Sequence, residues 1–188
     1  MDFVEHLSSY SPKWSLPVYL AVFLAAALLF LCLWKLTDKR HWNRKRVLAA
    51  YFLGFYLFLV FASTVFTRPK GTEFTYELAL FWSYRWGIAT HGAPMVEEIL
   101  LNCIMLLPLG ALLPFVMDGN TKIPHNPFRT HPFVSTLLTG FLTTLSIELL
   151  QLVLKRGLFE FDDIIHNTLG TALGYGIYRL VRRRNRHR

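Results

Sequence analysis

From Val47 to Thr67 the chain carries no charged residue, and Tyr51, Phe52, Phe55, Tyr56 and Phe58 crowd the same stretch. An uncharged apolar run of this kind matches the ~20 residues that a helix needs to cross roughly 30 Å of hydrocarbon. Four more blocks, at 16–36, 96–117, 133–154 and 164–181, have similar length and apolar character. About five spans in 188 residues leave too little chain for a sizeable soluble domain, which excludes a cytosolic enzyme. Composition agrees: AVILMFWYC make up 53% and charged residues only 17%, against ~25% charged in soluble domains. The expected fold class is all-α, a polytopic integral membrane helical bundle with about five transmembrane helices in a single domain over 1–188. The block at 16–36 follows Asp2, Glu5 and Lys13 rather than a basic leader, so it reads as a retained span.

Cations set the orientation, because cytoplasmic loops retain Lys and Arg. They cluster between Lys35 and Arg46, at Lys122 and Arg129, and from Arg179 to Arg188. Alternating spans put all three groups on one side, so the amino terminus is expected outside the cytoplasm and the carboxyl terminus inside, in the cell membrane. Residues 68–95 then form an extracytoplasmic loop and 182–188 a basic cytoplasmic tail. The net charge of +8 is accounted for by topology and lipid attraction, and no nucleic-acid partner is expected. Cys32 and Cys103 fall at different depths and are expected to be free.

Polar residues inside spans are costly and mark candidate sites. Asn102, Glu148 and Asn167 each sit a turn or two inside one end of their span, roughly 6–9 Å below the outer boundary. Glu98 and Asn102, Glu148 and Gln151, and Asp163 and Asn167 are spaced three or four apart and share helix faces. The short loop 155–162 makes the fourth and fifth spans an antiparallel hairpin, with Arg156, Glu160, Asp162 and Asp163 at its mouth. Interhelical hydrogen bonds and capping by Asp162 or Asp163 would use some of these groups. Their number points beyond that, to a ligand headgroup. Gly170 and Gly174 form a small-x-x-x-small packing pair, and Pro108 is expected to kink the third span. His166 lies one turn from Asp162 but has no second histidine at ligand spacing. No metal and no cofactor are therefore expected.

These residues resemble the VanZ-like family of small bacterial membrane proteins. Asn102, Pro108, Gly110 and Pro114 are similar to its N-x5-P-x-G-x3-P segment, and Ser146, Glu148 and Gln151 to its S-x-E-x-x-Q segment. Arg156, Asp163, Asn167, Gly170 and Gly174 are similar to a third segment, an Arg followed by D-x3-N-x2-G-x3-G. Glu98 and Arg68 stand where the family commonly has an acid and an arginine. The resemblance covers about residues 47–181. Leu106 stands where Phe is common and Glu160 where Asp is common, and the outer loop is long. The resemblance implies an envelope protein linked to low-level resistance to lipid-bearing glycopeptides such as teicoplanin.

Three functions compete. The first is a non-enzymatic protein that binds a lipid or lipid-linked headgroup at the outer leaflet through Arg68, Glu98, Asn102, Glu148, Gln151, Arg156, Asp162, Asp163 and Asn167. Its partners would be membrane lipids, a lipid-linked cell-wall precursor or a lipoglycopeptide. The second is an intramembrane hydrolase or transferase acting on such a lipid, with Glu148 and Asp163 as its acid and base. The third is a small lipid or solute transporter, for which the apolar positions below the polar layer offer little support.

Overall fold

The computed structural model describes residues 28, 30–32, 35, 43–85, 93–117 and 126–184. Most of the first expected span lies outside the described residues, as do loop 118–125 and the last four residues of the tail. Among the described residues the secondary structure is all helical except for one pair of short strands, and the chain divides into two units, Met1–Pro69 and Lys70–Arg188. Among the described residues, three helical stretches are long and apolar enough to cross a membrane: Arg44–Phe66, Val96–Met117 and Pro132–Leu154.

In the first unit, helix α1 (Arg44–Phe61) opens on Asn43, whose side chain accepts from the Lys45 N–H. It passes into a π-helical turn, Ala62–Phe66. Hydroxyls line it. Ser63 and Thr64 donate to the Val60 carbonyl at 3.0 and 2.7 Å, and Thr67 donates from both its N–H and its hydroxyl to the Ala62 carbonyl at 2.9 Å. The Thr67 N–H to the Ala62 carbonyl is the i→i+5 bond that defines the turn, and the Thr67 hydroxyl shares that carbonyl. Arg68 directly follows this turn.

The second unit starts with strand β1 (Thr75–Glu77), and helical residues 82–85 follow. The expected third span is two helices, α2 (Ala93–Met105) and α3 (Leu107–Met117), interrupted at the fully buried Leu106. Pro108 explains the break, since it has no N–H for the Ile104 carbonyl and its ring crowds the preceding turn. The short helix α4 (Pro127–Thr130) leads into α5 (Pro132–Leu154), which ends at Lys155 in a left-handed conformation, φ 56° and ψ 45°. Strand β2 (Leu158–Glu160) and helix α6 (Phe161–Arg184) complete the unit. The two strands are parallel, with Thr75 opposite Leu158 and Glu77 opposite Glu160.

Helix α6 is the centre of this unit, packed against α2, α3 and α5. That position explains why it is the least apolar of the long helices. On its protein-packed faces it buries Asp162, His166, Asn167 and Thr171, all 3% exposed or less, each with a hydrogen-bond partner: Asp162 and His166 in segment 81–84, Asn167 on α5 and Thr171 on its own preceding turn. The helix over the expected span 164–181 starts earlier, at Phe161, and is not among the three described stretches apolar enough to cross a membrane. Small residues let the backbones meet: a methyl added at Gly170 would collide with the Cys103 carbonyl, and one at Gly174 with the Leu107 carbonyl. Gly110 and Gly140 are closed off in the same way by Thr171.

Candidate functional site

The i,i+4 stripes read from the sequence face one another where α2, β2 and α6 meet. Glu98 on α2, Glu160 at the end of β2 and Asp163 in the first turn of α6 each bring a carboxylate oxygen within 4.8 Å of the other two. Asn102, one turn along from Glu98, donates from Nδ2 to Asp163 Oδ1 at 2.5 Å. Hard oxygen donors of this kind suit a divalent cation, so Glu98, Glu160 and Asp163 are the residues that can hold one. They equally accept hydrogen bonds from hydroxyl or ammonium groups.

A second tier fixes the first. Glu148 on α5 is 1% exposed, and its Oε2 accepts the Glu160 backbone N–H at 3.0 Å. Its observed contact is therefore to the main chain that carries Glu160. Asn167 donates from Nδ2 to Thr144 Oγ1 at 3.1 Å, bridging α6 to α5, while its buried Oδ1 takes no hydrogen bond among the described residues. Gln151 is buried on the same face of α5, and Arg156 follows in the turn, its backbone N–H donating to the Gln151 carbonyl at 2.8 Å.

Asp162 serves the outer loop. Its Oδ1 accepts the Phe81 N–H at 2.7 Å, and its Oδ2 accepts the Ser83 N–H at 3.2 Å and the Ser83 hydroxyl at 2.6 Å. One turn on, His166 Nε2 pairs with the Tyr84 hydroxyl at 2.7 Å. Phe81 is held at φ 59°, a left-handed conformation that costs a bulky residue on the order of 1–3 kcal/mol. The charge-assisted bond to Asp162 offsets that cost. The loop is anchored a second time at its start. The Gly71 N–H donates to the Lys155 carbonyl at 2.6 Å, Lys155 Nζ to the Thr72 carbonyl at 2.9 Å, and the Thr75 hydroxyl to the Gly157 carbonyl at 2.7 Å. Segments 71–77 and 81–84 thus lie along the turn that carries Glu160 and the start of α6.

Burial pushes the Glu160 carboxyl up to about 8, with the negative charges of Asp163, Glu98 and Asp162 adding to the effect and the Trp82 indole opposing it. At neutral pH it carries a proton, which lets three acids share so small a space. The Tyr84 phenol is raised as well, by desolvation first and then by Asp162.

Of the residues singled out from sequence, the structure brings Glu98, Asn102 and Asp163 into one cluster, with Glu148, Gln151 and Asn167 buried on α5 and α6. Asp162 turns to the loop, and Arg68 lies in the other unit. Glu160 was noted only at the hairpin mouth and as a departure from the family pattern, yet it is a full member of the cluster. Ser83, Tyr84 and His166 were not singled out as site residues. The one signal for them was the i,i+4 spacing of Asp162 and His166.

Comparisons with curated proteins and with solved structures return no match. The family model described as VanZ/LLP1 matches residues 21–182, the stretch that contains the carboxylate cluster and every helix that builds it, and the chain therefore belongs to this family.

Proposed function

We propose that the chain is a five-span protein of the cell membrane, with its amino terminus outside, that holds a lipid or lipid-linked headgroup at the outer leaflet and so lowers sensitivity to teicoplanin-type glycopeptides. The observation that carries the reading is the convergence of Glu98, Asn102, Glu160 and Asp163 beside the turn between α5 and α6. That is the depth at which a headgroup meets the end of a span. Carboxylates accept from sugar hydroxyls or an ammonium group, and a phosphate would be held through a cation, either Arg156 or a divalent ion on the three acids. Trp82 and Tyr84 add aromatic surface of the kind that packs on sugar rings.

The test is binding by the full chain in nanodiscs to a short-chain lipid-linked disaccharide-peptide precursor. Glu98→Gln and Asp163→Asn are expected to weaken it at least ~10-fold, since each replaces a carboxyl oxygen of the cluster by an amide nitrogen that cannot accept, with helix content and elution unchanged. Undiminished binding, or no binding by the parent chain, sinks the reading.

A second reading, an intramembrane hydrolase or transferase acting on the same lipid, is favoured by one observation. Glu160 and Asp163 lie together in different environments, the arrangement that lets one acid donate and the other accept a proton. Turnover of the precursor that is abolished in a folded Glu160→Gln variant would select this reading over simple binding.

A further inference from the structure

The outer loop has two unlike faces. Toward α6 it presents Ser83 and Tyr84, held by Asp162 and His166. Away from it, Phe74, Tyr76, Leu78, Leu80 and Phe81 are each between 53% and 61% exposed. Five large apolar side chains between positions 74 and 81 are a poor surface to leave in water.

The depth of this segment follows from its partners. β2 starts four residues after the end of α5, a candidate membrane span, and runs directly into the first residue of α6, and β1 lies beside β2 at strand spacing of about 4.8 Å. The Lys155 ammonium lies 4.5 Å from the centre of the Phe74 ring and donates to the Thr72 carbonyl. A lysine that ends a span places its charge at the headgroup level, so it marks the level of the Phe74 ring too. At the adjoining ends of the two helices, Val153, Phe161 and Ile165 are also exposed and apolar, so the lipid-facing surface of the bundle is present at the level where the loop sits.

We infer that residues 74–81 form an in-plane platform seated in the membrane interface, with Phe74, Tyr76, Leu78, Leu80 and Phe81 among lipid acyl chains and headgroups and the opposite face on α6. An amphipathic segment with one apolar face and a cationic rim is the form that binds a lipid surface. The inference does not rest on what the carboxylates bind. It gives that site an approach from within the leaflet.

Two measurements on the full chain test it, in vesicles of phosphatidylcholine and phosphatidylglycerol. In the first, the unmodified protein is photolabelled with a phospholipid carrying a carbene precursor near its headgroup, and adducts are expected on the peptide containing 74–81. In the second, Tyr76→Cys and Leu80→Cys, each with Cys32→Ala and Cys103→Ala, carry an environment-sensitive fluorophore. Lipids with a spin label high on the acyl chain should quench it at least about twofold more than aqueous iodide does. A label at Leu142→Cys, near the middle of α5 and exposed, should instead respond best to a deep spin label. Quenching by iodide alone would overturn the inference in favour of a loop standing in water. Protection from both quenchers, or the absence of lipid adducts, would overturn it in favour of cover by protein.

Discussion

Asp162 accepts three hydrogen bonds from a loop some eighty positions earlier in the chain. Asp162→Ala should orphan two backbone donors and a buried hydroxyl at once, costing about 2–4 kcal/mol. Faster hydrogen exchange across 79–85 with the helices still protected is the expected signature, and uniform protection would show that the anchor lies elsewhere. Glu160 sets a pH dependence of its own. Its folded pKa of about 8 lies above the ordinary carboxylate value of 4.5, so between these limits the folded state binds more proton than the unfolded one and stability falls as pH rises. Glu160→Gln should remove that slope, and thermal midpoints of both proteins from pH 5 to pH 9 will show it. A parallel pair of curves would mean that other groups carry the dependence. Asn102, Asp163 and Asn167 were legible as site residues because helical spacing and an apolar background make a polar side chain conspicuous. Glu160 sits in a short polar turn, where an acid is unremarkable until the fold brings Glu98 beside it.

Among the elements, α6 tolerates its polar residues because they lie on the faces packed against protein while an apolar stripe including Phe161, Ile165, Leu169 and Leu173 stays exposed, and its glycines set how closely the neighbouring helices approach. Gly170→Ala or Gly174→Ala must push back the backbone at Cys103 or Leu107 and should cost about 1–3 kcal/mol. Gly176→Ala meets nothing within 4 Å and should be neutral or slightly stabilising through its helix propensity. Equal losses at all three positions in an SDS-unfolding assay would refute the packing account. The apolar blocks at 47–67 and 133–154 fall on helical stretches long and apolar enough to cross a membrane, Arg44–Phe66 and Pro132–Leu154, because hydropathy and length act locally. The strands were not legible in this way. Three residues are too few for a visible alternation, and β1 pairs with a partner that only the folded hairpin supplies. The interruption at Leu106 followed from Pro108, whose effect is equally local.

For the whole molecule, orientation is the prediction that matters most. Cysteines placed at Gly71 and Gly157 should share one face, because the Gly71 N–H bonds Lys155 and the Gly157 carbonyl accepts from Thr75. Both should react with a membrane-impermeant maleimide from outside intact cells, whereas cysteines at Asn43 and Asn120 should react only after permeabilisation. The reverse pattern would move the carboxylates to the cytoplasmic face and remove the glycopeptide reading. The parallel pairing of β1 with β2 also dictates an order of biogenesis. Residues 70–85 leave the ribosome before Leu158 and Asp162 exist, so β1 has no strand partner and Ser83 no carboxylate until about eighty further residues have been made. The carboxylate cluster and the loop's bonds to Asp162 can therefore form only after the segment carrying Glu160, Asp162 and Asp163 has been made, so a chain terminated before it would lack every one of these contacts.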